Sequence, residues 1–210
     1  MQGKGQKIAI ADLGSGNLRS VEKALAAVGA DAVLTADADT VARADKLVVP
    51  GQGAFGACVA GLSREGGALR EAVLESISAG RPYFGICIGL QVLFDASEED
   101  PSCRGLGVVP GRVRKLAGGP GLKIPHMGWN RTQRGAAETD LLSATPEGTY
   151  FYFVHSYYPE PARDGDVALS SDHGVTFCAA VARDNVFACQ FHPEKSQTAG
   201  LALLRRFVEL

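Results

Sequence analysis

The sequence predicts an α/β protein, with a central, mostly parallel sheet flanked by helices and an antiparallel portion added in the C-terminal half. Three observations carry this. Between Lys7 and Asp95, short β-prone runs alternate with segments whose apolar residues recur at helical spacing, the pattern of βα units on a parallel sheet. One apolar run ends in Gly85-Ile86-Cys87-Ile88-Gly89, with a helix-like stretch directly behind it. From Gly105 onward the chain breaks into short segments separated by Gly and Pro turns, which suggests hairpins joined to the sheet.

In order, Lys7–Ala11 reads as a strand and Asn17–Gly29 as a helix, with Leu18, Val21, Leu25 and Val28 on one face. The connection Asp12-Leu13-Gly14-Ser15-Gly16-Asn17 lacks the third glycine of a dinucleotide loop and is read as a plain βα turn. Asp31–Thr35 is a second strand, Asp37–Arg43 a short helix and Lys46–Val49 a third strand, running into the glycine-rich loop Pro50-Gly51-Gln52-Gly53. Gly67–Gly80 is a helix with Gly80 and Pro82 as stop signals, followed by the strand that bears Cys87 and a helix from Ile88 to Asp95. The acidic stretch Ser97–Pro101 is expected to be a solvated loop. Further strands are expected at Leu106–Val109, Arg112–Leu116, Tyr150–Val154, Val167–Ser170, Val175–Ala182 and Val186–Phe191, with a last helix over Ser196–Leu210 capped by Ser196.

At 210 residues, 46% hydrophobic and 21% charged, the chain suits one well-buried core, so a single domain over 1–210 is expected, with residues 1–6 as a short tail. A net charge of −2 gives no electrostatic footprint for nucleic acid or anionic membrane. Without a signal-like segment or a long apolar run, a soluble, cytoplasmic protein is expected. The cysteines at 58, 87, 103, 178 and 189 show no paired spacing, which suggests neither a zinc site nor a disulfide framework.

Cys87 would sit on a sharp strand-to-helix turn, where the helix N-terminus favours thiolate and the glycines permit the turn. The pattern alone fits a buried cysteine in a tight turn equally well. Pro50–Gly53 would share its rim, either as backbone turned toward a ligand or as a flexible connector. Among four histidines, His192 is the best base. In Phe191-His192-Pro193-Glu194 an extended backbone would aim His192 and Glu194 the same way, although a surface turn would carry the same letters. His-x-Glu supplies only two metal ligands, so no metal site is expected. Taken together, the three stretches provide a nucleophile, oxyanion donors and an oriented acid–base group.

At these residues the sequence resembles the class I, triad-type glutamine amidotransferases: Gly85–Gln91 is similar to the nucleophile motif, Pro50–Gly53 to the oxyanion strand and Phe191–Glu194 to the His-Glu pair. Pro125-His126-Met127-Gly128-Trp129-Asn130 and Tyr152–Tyr158 resemble segments of one branch, whose glutaminase subunits form heterodimers with a (β/α)₈-barrel cyclase in histidine biosynthesis. The resemblance spans nearly the whole chain. Ile88 stands where leucine is commoner, leaving the glycines and the cysteine in place.

The resemblance implies the class I glutamine amidotransferase fold and a glutaminase that uses Cys87, His192 and Glu194 without a cofactor or metal. Oxyanion donors would come from Ile88 and the Gly51-Gln52 peptide, and glutamine contacts from Gly53, Gln91, His155, Ser156 and Tyr157. The cyclase would meet Met127, Gly128, Trp129 and Asn130, residues that also suit an ordinary core or edge strand, and would receive the ammonia through a tunnel. It would also control the glutaminase, because a glycine-rich oxyanion strand can turn its peptide away until the partner docks. Nucleic acid and membrane are not expected partners. A sister glutaminase serving another acceptor enzyme would lack segments like His126–Asn130, and a non-catalytic scaffold would not need the triad.

Overall fold

A computed structural model describes residues 6–14, 16–119 and 121–210. Ser15 of the first turn and residues 1–5 of the expected tail lie outside them. The N-terminal half supplies β1 (Lys7–Ala11), α1 (Leu18–Ala27), β2 (Asp31–Thr35), α2 (Ala38–Ala42), β3 (Lys46–Gly51), α3 (Phe55–Leu62), α4 (Ala68–Ser78), β4 (Tyr83–Cys87) and α5 (Ile88–Gln91). The C-terminal half supplies β5 (Ala96–Ser97), β6 (Asp100–Arg104), β7 (Gly111–Lys115), β8 (His126–Arg131), β9 (Gln133–Arg134), β10 (Tyr150–His155), β11 (Tyr157–Pro161), β12 (Val167–Asp172), β13 (Thr176–Arg183), β14 (Val186–Cys189) and α6 (Gln197–Glu209).

The main sheet runs β2-β1-β3-β4-β14-β13-β12-β9. Its first five strands are parallel and the remainder antiparallel, as the sequence predicts. Helices cover the parallel part on both faces, so β3, β4 and β14 are buried at every residue and read as unbroken apolar runs, whereas edge strand β2 is only half-buried. Two smaller sheets, β10-β8 and β11-β7-β5-β6, form beyond the end of β4. Cys87 closes β4 and pairs in register with Gly51 at the end of β3. The cysteine and the glycine stretch therefore share the carboxyl-end rim of the sheet, where ligands of open α/β sheets gather.

Several elements depart from expectation, each for a physical reason. The helix behind Cys87 stops at Gln91 rather than Asp95. The carbonyls of Val92, Leu93 and Phe94 are taken by the N–H groups of residues 106 to 109, so helix and expected strand Leu106–Val109 end each other. Helix α3, which the sequence does not announce, has no capping side chain of its own at Ala54. Its cap comes from far along the chain: Phe55 N–H donates to Glu99 Oε2 at 2.7 Å. The acidic stretch that carries Glu99 is thus not a solvated loop but the β5–β6 hairpin. Strands β8 and β11 are additional, and β14 stops at Cys189, two residues short of Phe191. Ser196 does not cap α6, because its Oγ donates to His192 O at 2.6 Å and accepts the Tyr152 N–H at 3.0 Å.

The glycines around Cys87 prove to be packing residues. A Cβ on Gly89 would lie 1.7 Å from Val49 O, and one on Gly85 2.7 Å from Gly89 O. Neither glycine has a positive φ; the strained backbone belongs to Cys87 itself, at φ 55 and ψ −104. Gly89→Ala is therefore expected to lose about 3 kcal/mol of stability or more. Gly165→Ala, where nothing lies within 4 Å of the added carbon, should stay within roughly 0.5 kcal/mol of the parent. Equilibrium unfolding of the two variants beside the parent checks the pair.

Candidate active site

Cys87 is both the last residue of β4 and the N-cap of α5, with no side-chain capping bond. The N–H groups that open a helix have no partners within it, and those of Ile88 and Gly89 follow directly. Gly51 must be small to bring β3 this close, since a Cβ there would meet Ile88 Cβ at 2.7 Å and Cys58 Sγ at 3.3 Å. Gly53 is unconfined by neighbours but has φ +99, a conformation that glycine adopts without strain.

His192 and Glu194 reach the same rim from the end of β14. The chain here is a single 3₁₀ turn, Pro193–Lys195, and not the extended backbone expected. The turn is fastened by the His192 N–H donating to Tyr152 O at 2.9 Å and by the Ser196 hydroxyl. Within it, His192 Nδ1 lies 2.8 Å from Glu194 Oε1, with the two side chains only 4% and 2% exposed. A carboxylate can only accept, so Nδ1 carries a proton and Nε2 is the free nitrogen; it has no hydrogen-bond partner. Burial opposes a charge on this imidazole. The Cys87 sulfur and the Glu194 carboxylate outweigh it and hold the His192 pKa well above its ordinary value, at about 10.

A cavity of about 250 Å³ opens beside the thiol. Gln52, Gly53, Cys87, Ile88, Gln91, His155, Ser156 and Tyr157, all named from the sequence, line it together. Gly51, His192 and Glu194 instead border a narrow cleft behind the rim, with Gly16 and Asn17. Gln91 is wholly buried: its Nε2 donates to Tyr157 O at 3.1 Å and to Gln190 Oε1 at 3.0 Å, while its own Oε1 has no partner. Sequence reading missed Glu99, the one carboxylate among the cavity's described lining residues. It also missed Gln190, whose Nε2 lies 3.5 Å from Cys87 Sγ. The signal for Gln190 was available, two residues before His192. For Glu99 there was none, because the hairpin that delivers it is a tertiary feature.

Of the other histidines, His155 and His126 form a neutral pair. His155 Nδ1 donates to Tyr157 O at 2.9 Å, which leaves Nε2 as an acceptor for His126 Nδ1 at 3.0 Å, and His126 Nε2 in turn faces Asn130 Nδ2 at 3.2 Å. Burial pushes the pKa of His155 down to about 3 and that of His126 to about 4, the latter helped by His173, whose ring stacks at 4.2 Å. Of the expected docking residues, Met127 and Trp129 are 62% and 46% exposed on β8, beside Tyr150 of β10 at 55%. Gly128 lies between them. Asn130 is tied inward, to His126 and to Asp172 O at 2.7 Å. Among the described residues no cluster of three or more His, Cys, Asp or Glu side chains could hold a metal, and no helix is long and apolar enough to cross a membrane.

The family model for glutamine amidotransferase class-I matches residues 9–210. The chain is 52% identical over 203 residues to imidazole glycerol phosphate synthase subunit HisH of Methanothermobacter thermautotrophicus, covering 97% of this chain and 98% of that protein. The HisH subunit of Nitrosospira multiformis is 50% identical over 210 residues, covering 96% of each. In fold, the chain is similar to a crystal structure of a glutamine amidotransferase at 22% identity, with a TM-score of 0.74 over 96% of this chain and 97% of that one. The glutaminase domain of Trypanosoma brucei CTPS with bound acivicin has a TM-score of 0.65 at 18% identity, covering 97% and 91%. The chain belongs to the class-I glutamine amidotransferase family, among the HisH subunits of imidazole glycerol phosphate synthase.

Proposed function

We propose that this chain hydrolyses glutamine to glutamate and ammonia on a Cys87–His192–Glu194 triad. The ammonia passes to a (β/α)₈-barrel cyclase subunit, its partner in a cytoplasmic heterodimer, which makes imidazole glycerol phosphate and AICAR in histidine biosynthesis. One observation carries the reading: a strained, helix-capping cysteine opens into an amino-acid-sized cavity while a carboxylate-anchored histidine, its Nε2 free, stands at the end of the strand paired beside it.

Cys87 Sγ attacks the side-chain amide carbon, and the negative charge moves to the former carbonyl oxygen. The Ile88 N–H and the Gly51-Gln52 peptide are the donors for that oxygen. His192, protonated at Nε2, gives its proton to the departing nitrogen, and ammonia leaves a γ-glutamyl thioester. His192, now neutral, takes a proton from water as the water attacks, and glutamate is released with the thiolate restored. Glu194 keeps the proton on Nδ1 throughout. In the cavity, Glu99 suits the substrate's ammonium, and Gly53, Gln91, His155, Ser156 and Tyr157 supply its remaining walls. Met127 and Trp129, exposed on β8, with Gly128 between them and Asn130 behind, are the docking strand for the cyclase. Residues 1–210 act as one glutaminase domain with a short N-terminal tail, and neither cofactor nor metal takes part.

In glutaminase assays with the cyclase present, Cys87→Ala should lose at least about 10³-fold in kcat and Glu194→Gln roughly 10²- to 10⁴-fold. Glutamine-dependent turnover retained by the alanine variant would remove the triad. Without the cyclase, the isolated chain is expected to turn over glutamine about 10²- to 10³-fold more slowly, the cost of one misdirected oxyanion donor. Equal rates with and without the partner would exclude control through residues 51 to 53.

The His192 pKa gives a further test. Because the folded value is raised, the pair's contribution to stability is complete below the unfolded value of about 6.5 and disappears as the pH rises toward about 10. In Cys87→Ser the sulfur no longer supports the charge, so the imidazole should titrate at lower pH, read from its ring proton shifts by NMR. A His192 titration unmoved by the serine would separate the two groups.

A further inference from the structure

We propose that Gln190 is a positioning residue for the nucleophile. Its side-chain amide fixes Cys87 Sγ and favours the thiolate, an inference that rests on Cys87 being the attacking group. Gln190 follows β14 directly, is wholly buried, and has its backbone N–H bonded to Ala179 O at 2.8 Å. Its Nε2 lies 3.5 Å from Sγ, within range for a hydrogen bond to sulfur. Gln190 is not among the residues lining the glutamine cavity, so its influence on the reaction passes through Cys87.

The orientation of the amide follows from its partners. Tyr157 O is a backbone carbonyl and can only accept, so the Gln91 atom 3.1 Å from it is the NH₂ group. The second hydrogen of that group meets Gln190 at 3.0 Å, where only the amide oxygen can receive it. The nitrogen of Gln190 is left facing Sγ. Flipping either amide would set two acceptors or two donors against each other inside the protein, at the cost of a buried unpaired group. One backbone carbonyl thus directs a donor onto the sulfur through two glutamine side chains.

A donor in that position distinguishes between the states of the sulfur. A thiolate accepts a charge-assisted hydrogen bond, whereas a thiol or a thioester sulfur accepts weakly, so the amide favours the form that attacks. The ionisable groups around Sγ are His192, with Glu194 behind it, and Cys189 of β14, whose own thiol burial raises well above its usual range. His192 provides charge and a proton; Gln190 provides direction without a titration of its own.

The test is the pH profile of Cys87 alkylation by iodoacetamide in the full chain, followed on the Cys87 peptide by mass spectrometry because Cys103 is also partly exposed. Gln190→Met removes the donor at similar volume. Gln190→Glu keeps the acceptor for Gln91 and sets an anion beside Sγ. The half-maximal pH should rise by about one unit or more in the methionine variant and further in the glutamate variant, with alkylation at neutral pH about tenfold slower. An unchanged profile in Gln190→Glu overturns the proposal. Should neither variant fold, the parent protein decides: the Gln190 Nε2 proton signals must shift as Cys87 ionises, and signals indifferent to that ionisation equally overturn it. Cys87→Ser separates the two readings. If it still turns over glutamine, the nucleophile assignment fails; if it is inactive while the Gln190 profiles are flat, only the role of Gln190 is lost.

Discussion

Helix α5 can lie against β3 and β4 only because residue 89 has no side chain, and the rest of the site depends on that contact. The Val49 carbonyl occupies the space a Cβ would need, and Gly85 and Gly51 remove the next two obstructions. With the helix pressed this close, the chain must reverse within one residue, and Cys87 takes the positive φ. Backbone strain of this kind costs of order 1–3 kcal/mol and persists only where surrounding structure enforces it. Here β3, β4 and β14, buried at every residue, provide the enforcement. The same contact leaves Gly51 and Cys87 as register partners, so the proposed nucleophile and the glycine-rich strand end are positioned by one packing event.

The parallel half of the fold was legible because its signals are local. Apolar runs, helical periodicity, and Asp37 accepting the Thr40 N–H as a cap lie within a few residues of each other. The contact between His192 and Glu194 was legible for the same reason, the two being two residues apart. What could not be read were features whose partners lie far along the chain. Helix α3 is capped by Glu99, forty-four residues away, and α5 is ended by the loop at residues 106 to 109. Strands β8 and β11 are recognisable only beside β10 and β7, because their own residues mix aromatic, glycine and proline without a clear period.

The hairpin that carries Glu99 illustrates how such a misreading affects the chemistry. Four of the five residues Ser97–Pro101 are polar or charged, which fits solvation. Yet Glu98 accepts the Lys115 N–H, Glu99 accepts the Phe55 N–H, and Asp100 gathers Ser102 and Cys103. Each carboxylate satisfies a group that secondary structure leaves unpaired. Glu99 thereby links the start of α3, just beyond Gly53, to the cavity wall, and the glycine strand is held from its far end by a residue that also lines the cavity.

Histidines 155 and 192 show why burial alone does not decide charge. Both are almost completely enclosed, at 5% and 3% exposure. His155 has a carbonyl and a neutral imidazole as partners. Its carbonyl bond does favour the imidazolium, but burial prevails and the ring stays neutral, a state that also fits its single donor and single acceptor roles. His192 has a carboxylate on one side and the Cys87 sulfur on the other, and there the partners prevail over burial. The positive charge on His192 further discourages protonation of His155. This division leaves a single protonated imidazole beside the Cys87 sulfur, because a second one at the cavity would repel the first. The neutral pair His155–His126 can then serve as a fixed wall between the cavity and the exposed face of β8 and β10, its tautomers set by Tyr157 and Asn130 and its proton inventory constant across the pH range in which His192 gives up its charge.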